Sequence, residues 1–210
     1  MIAVRSPMTI RCYRSNSWIK KANECVKRDP LDIDAAFIFY WVAFNSLYGQ
    51  PTYLYPRGEW AGDKKDFETF LSLMKKWGAI SIERIARDPK VQEAIKEIQE
   101  NQFTCNECWL RWSKKNLMTK EQRLKEKCLA PGRPSDLNNL FYRLYTLRNQ
   151  LFHGCSSDRG SKNRDSLESA VTVMKAFVPV FCEIVRHYGH RDPFLQSLAY
   201  PPSIREQSGA

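Results

Sequence analysis

The segment Leu147-Arg148-Asn149-Gln150-Leu151-Phe152-His153-Gly154 places an arginine, an asparagine and a histidine at the end of a periodic apolar stretch. These residue types suit metal-free phosphodiester chemistry. A guanidinium holds a phosphate through charge-assisted N–H bonds. An imidazole, with an ordinary pKa of about 6.5, moves protons near neutrality. At about 100° per residue, with Leu137 set to 0°, the residues Leu140, Phe141, Leu144, Leu147 and Leu151 fall between about 280° and 40°. Arg148 falls near 20°, inside that apolar stripe, while Asn149 near 120° and His153 near 160° share an adjoining face.

A charged arginine in an apolar stripe costs several kcal/mol unless it is paired. Two arrangements satisfy it. Arg148 pairs internally with an acidic residue of another helix, or the stripe forms a subunit seam or cleft where Arg148 meets a phosphate or a partner chain. His153 likewise has two readings: a proton carrier, or a helix-end histidine capping carbonyls and favoured there by the dipole.

The elements that must position these residues read as helices. Most segments repeat at helical spacing, and strand alternation is absent. Helices are expected over about Ser17–Arg28 and over about Leu31–Tyr48, the latter stopping at Gly49 and apolar nearly all round, hence central. Two helical stretches, DKKDFETFLSLMKKW and ISIERIAR, follow a Pro/Gly/aromatic loop. Asp88-Pro89 reads as an N-cap and first-turn proline for an amphipathic, exposed helix ending near Asn101. Residues from about Phe103 to Pro134 are less regular and read as an insertion or arm. The motif helix runs from about Asp136 to His153, with Ser135 as N-cap and Gly154 as C′ residue. A last helix runs from about Asp165 to Tyr188, with Pro179 as an expected kink.

The motif residues resemble the signature of the HEPN superfamily (higher eukaryote and prokaryote nucleotide-binding domains): an arginine, a polar residue and a histidine four to six positions after the arginine. Arg148, Asn149 and His153 fit it with four intervening residues, and Gly154 follows as in many members. Upstream, Phe37, Trp41, Phe44, Asn45, Leu47 and Tyr48 resemble the aromatic helix of Apea-like HEPN domains. The tyrosine two residues after the histidine, found in toxins silenced by a nucleotidyltransferase partner, is replaced by Cys155.

The resemblance implies an all-α fold, a HEPN-like antiparallel bundle with an inserted region. It would be one domain over residues 1–200, with about 50–134 partly insertion and 201–210 a flexible tail. It implies a homodimer whose two motifs face each other. Its activity would be metal-independent RNA cleavage by the RNA's own 2′-hydroxyl, leaving a cyclic phosphate, in a toxin or phage-defence effector with a possible antitoxin or defence-system partner. Arg148 would bind the phosphate, His153 would transfer protons, and Asn149 would orient the imidazole or the phosphate. Two-fold symmetry would supply the second histidine that in-line attack calls for. The other class of function is a non-catalytic module that binds RNA, nucleotide or protein and dimerises.

Composition narrows the field. A net charge of +10 on 210 residues favours polyanionic partners, nucleic acid first. Basic segments with interleaved aromatics, Arg5 to Arg28 and Arg111 to Lys127, suit single-stranded RNA or form solvated faces. Trp112, Lys114 and Lys115, together with Arg143 on the motif helix, are the candidate RNA contacts. Seven cysteines, an odd count, do not read as a disulfide framework. With no leader pattern and no membrane-length apolar run, a reduced, cytoplasmic protein is expected. Cys105 and Cys108 have zinc-knuckle spacing, but four ligands are needed and only Cys128 offers a third, so no metal or cofactor is expected. His187 and His190 read as helix-end histidines. No P-loop, dinucleotide glycine motif or serine elbow is present in the sequence.

Overall fold

The computed structural model describes residues 5–50, 62–105, 136–153, 163–198 and 200–201, and over these the protein is all-α. The long elements are α1 (Pro7–Cys25), α2 (Ile33–Tyr48), α3 (Gly62–Ala86), α4 (Pro89–Glu100), α5 (Leu137–Phe152) and α6 (Arg164–Tyr188). A 3-10 turn, Gln102–Thr104, follows α4, and a short α7, Pro193–Gln196, follows α6. Among the described residues, no helix is long and apolar enough to cross a membrane.

α1 begins ten residues before the expected start. Ser6 caps it, accepting from the Thr9 N–H at 3.3 Å, and Pro7 takes the first position, where its missing N–H costs nothing. Hydrophobic periodicity hides this first half because Arg11 and Ser15 lie in its buried face. Arg11 is 1% exposed and donates to the carbonyls of Leu47, Leu195 and Ser197. It thereby ties α1 to the end of α2 and to the α7 segment. Desolvation, with the nearby Arg14 charge, pushes its pKa down to about 10.

α2 is capped by Asp32 and closed by Gly49, whose N–H donates to the Asn45 carbonyl at 2.8 Å. Phe37, Tyr40, Trp41, Phe44, Leu47 and Tyr48 are all within 1% of complete burial. Phe44 is the hub. Its ring centroid lies 4.9 Å from Phe141 on α5, 5.7 Å from Phe70 on α3 and 6.0 Å from Phe181 on α6. Such tilted and edge-on pairs contribute about 0.5–1.5 kcal/mol each beyond burial.

The two helical stretches after the loop form one element broken at Gly78 (φ −120°, ψ 19°). There α3 crosses α6 so closely that a Cβ would lie 2.1 Å from Ile184 Cδ1. α4 starts as expected, with the Asp88 carboxylate accepting from Lys90 and Val91 N–H groups. It is not an exposed helix, however. Val91, Ala94, Ile95 and Ile98 bury its apolar face against α6. α3 and α4 therefore share the core of α2, α5 and α6. α6 packs on α1, α2, α3 and α4 and shares the centre with α2; Pro179 lies within it without ending it.

Candidate active site on the motif helix

α5 starts one residue later than its expected cap. Asp136 accepts from the Asn139 N–H at 3.3 Å, and His153 is the C-cap. Ser135 and Gly154 lie outside the described residues. The apolar stripe is buried as the wheel requires: Leu137, Leu140, Phe141, Leu144 and Leu147 are at most 1% exposed. A second stripe is buried too. Arg143, Thr146 and Gln150, at about 180–240° on the same wheel, are only 2–5% exposed. Only one arc of α5 is left open, and Arg148, Asn149, Phe152 and His153 occupy it.

Arg148 is half-buried at the boundary between the core and that open arc. Its Nη1 donates to the Asn149 Oδ1 at 2.9 Å. Its guanidinium carbon lies 4.6 Å from the Phe152 ring centroid and 5.7 Å from that of Tyr145. Tyr145 in turn packs on Trp41 of α2, with centroids 6.0 Å apart. The aromatic helix thus positions the arginine through one intervening ring. Cation–π contact of this kind contributes about 0.5–2 kcal/mol. Arg148 makes no ion pair with a described residue, and its Nε is buried without a hydrogen-bond partner. Among the described residues, no internal carboxylate holds it.

Asn149 is engaged with Arg148 and not with the imidazole. Its own carbonyl accepts from the His153 N–H at 2.9 Å, closing the helix. His153 is exposed, at φ −91° and ψ 11°. The site therefore offers a held guanidinium and a solvent-facing imidazole at one helix end. A phosphate lying against Arg148 would meet unfilled N–H capacity and no competing carboxylate from a described residue.

Arg143 requires a correction. Instead of facing solvent, it is 5% exposed, with Nη1 donating to Thr104 Oγ1 at 3.0 Å and to the Asn101 and Ile98 carbonyls at 3.3 and 3.4 Å, and Nε to Asn139 at 3.2 Å. The 3-10 turn covers this side of α5, so an arginine that a helical wheel puts outside the leucine stripe is internal. Trp112, Lys114 and Lys115 lie outside the described residues.

Positioning residues that the sequence did not single out surround Arg143. Gln150 donates to the Phe103 carbonyl at 2.6 Å and accepts from Asn163 Nδ2 at 2.8 Å. Asn101 Nδ2 donates to Ser166 Oγ at 2.7 Å and lies 3.3 Å from Asn163 Oδ1. Asn163 sits in the left-handed region (φ 56°), which asparagine tolerates better than most residues. Together they lock the last turns of α5 to α4 and to the start of α6. Arg164 adds an ion pair with Asp34 of α2 at 3.0 Å. A polar glutamine beside a charged motif carries no sequence signal that distinguishes this role from a solvent-facing one.

Cys105 is half-buried, and Cys108 and Cys128 lie outside the described residues. Among the described residues, no cluster of three His, Cys, Asp or Glu side chains could hold a metal ion. His187 lies near Glu183 (3.7 Å) at the exposed end of α6. Compared with known proteins, the chain matches no family model, no curated protein and no solved structure.

Proposed function

We propose that this protein is a metal-independent endoribonuclease of HEPN type, acting as a toxin or phage-defence effector. The observation that carries the reading is Arg148. It is a half-buried cation held by Asn149 and two aromatic rings, without a carboxylate from any described residue, on the same helix end as the exposed His153. A cation desolvated in this way binds a phosphodiester more strongly than a fully hydrated one and stabilises charge developing on it.

In the proposed reaction the RNA 2′-hydroxyl attacks its own phosphorus. The 2′-oxygen gives up its proton, the bond to the 5′-oxygen breaks, and that oxygen leaves protonated. The products are a 2′,3′-cyclic phosphate and a 5′-hydroxyl. One His153 takes the first proton and a second delivers the other. A homodimer with the open arcs of two α5 helices facing each other supplies both. The exposed Phe152 (53%) on that arc supports the pairing, because it is a large apolar ring left facing solvent. The buried thiols Cys12, Cys25 and Cys182 fit a reducing, cytoplasmic setting.

The test is incubation of purified protein with RNA in EDTA. Cyclic-phosphate ends are expected, with cleavage lost in His153→Ala and Arg148→Ala. Cleavage by both variants at the parent rate sinks the assignment. RNA binding without cleavage by the parent selects the non-catalytic module instead. Sedimentation at micromolar concentration tests the dimer, and an active monomer overturns the composite site.

A further inference from the structure

α1 carries a face that the motif does not use. Trp18 stacks on Phe39 of α2, with ring centroids 5.6 Å apart and planes 20° from parallel. Phe39 covers one face of the indole, yet Trp18 keeps 37% of its surface exposed. Phe39 itself is anchored on α2, whose other side is the aromatic core. The indole is therefore held flat and rigid at the surface, unlike an isolated side chain that would lose rotamer freedom on contact.

The charge around this ring is one-sided. From residue 5 to residue 30, six basic side chains lie outside the core (Arg5, Arg14, Lys20, Lys21, Lys27 and Arg28), against two acidic ones, Glu24 and Asp29. Lys21 sits one turn after Trp18 and so shares its helix face. Its ammonium is 3.3 Å from Glu24, with both side chains nearly half exposed. Exposed pairs of this kind are weak, so a phosphate readily replaces the carboxylate. A flat, supported ring with an ammonium group on the same helix face suits a nucleobase and its phosphate; every base has a π-face, so such a platform is indifferent to sequence.

We propose that Trp18, supported by Phe39 and with Lys21 one turn away on the same helix face, is a base-stacking platform for single-stranded RNA. This rests on the reading that RNA is the partner, but not on cleavage. The platform lies on α1, away from α5, so it holds a strand whose scissile phosphate is elsewhere.

The experiment uses the full chain carrying His153→Ala, to keep RNA intact, and a 5′-fluorescein single-stranded 12-mer RNA read by anisotropy across a salt titration. Trp18→Ala is expected to weaken binding roughly tenfold. Trp18→Phe, which keeps a ring on Phe39, stays within about threefold. Lys20→Glu/Lys21→Glu weakens binding and lowers the slope of log affinity against log salt by about 2. RNA-induced tryptophan quenching is present in the parent and lost in Trp18→Phe. Thermal melts identify any variant that fails to fold, and Trp18→Phe and the lysine pair then carry the test. Parent-like affinity in Trp18→Ala and in the lysine pair, or parent-like quenching in Trp18→Phe, overturns the platform. So does failure of the parent to bind RNA, or binding to phosphatidylserine vesicles that RNA does not compete away. Nuclease activity is scored separately on unlabelled RNA with the native His153. Cleavage with no Trp18 effect removes the platform and leaves the nuclease; Trp18-dependent binding without cleavage does the reverse.

Discussion

Arg143 and Arg148 lie five residues apart on one helix, and their surroundings are opposite. Arg143 is enclosed by Thr104, Asn139 and the carbonyls of Ile98 and Asn101, four acceptors that suit its fork of N–H donors. Among the described residues, Arg148 has one side-chain acceptor, Asn149, two rings and a buried Nε without a partner. A saturated guanidinium fastens elements together. An unsaturated one has capacity left for a ligand. What separates a structural arginine from a candidate phosphate-binding one here is the number of described acceptors around it together with its access to solvent, since Arg143 is buried and Arg148 half-buried.

The strongest way to break this comparison is to remove each arginine and read both activity and stability. Arg148→Ala is expected to lower RNA cleavage about 10²- to 10³-fold, as for other groups that stabilise transition-state charge, while the urea midpoint moves little. His153→Ala is expected to lower it about 10²- to 10⁴-fold, again with small change in stability. A parent-like rate in either variant removes the motif from the chemistry.

Arg143→Met reverses the pattern. It leaves the carbonyls of Ile98 and Asn101 and the amide of Asn139 under-satisfied, and urea unfolding should show a loss of about 3 kcal/mol. Unchanged stability would mean that water replaces the guanidinium and that the network is not a fastening. Gln150→Leu acts on the same network nearer the motif, with an expected loss of about 1–3 kcal/mol. Its cleavage rate should fall further than the unfolded fraction accounts for, because the last turn of α5 then loses its hydrogen bonds to Phe103 and Asn163. Phe152→Ala is the smallest change. Losing one cation–π contact costs about 0.5–1 kcal/mol at an exposed site. Its informative readout is the monomer–dimer equilibrium by sedimentation, which shifts toward monomer if Phe152 lies in the seam.

Much of the fold is legible in local chemistry. Asp88 and Gly49 mark helix ends where cap and stop residues are expected, and the leucine stripe of α5 is buried as its spacing requires. The first half of α1 is not legible, because Arg11 and Ser15 interrupt its buried face and are satisfied by partners far along the chain. The exposed reading of α4 fails because an amphipathic pattern reports that one face is apolar but not how much surface another helix covers.

By itself, the sequence determines that Arg148, Asn149 and His153 share a helix end, because 3.6-residue periodicity is local and needs no partner. Tertiary structure decides which polar residues of that helix are wet. Arg143 and Gln150 are drawn inside by the Gln102–Thr104 turn, at least 39 residues earlier in the chain, which brings acceptors that no helical wheel contains. The open arc left to Arg148 and His153 is the remainder after two sides of α5 are covered. An angle on a helix becomes a functional surface only once it is settled which other elements pack against that helix.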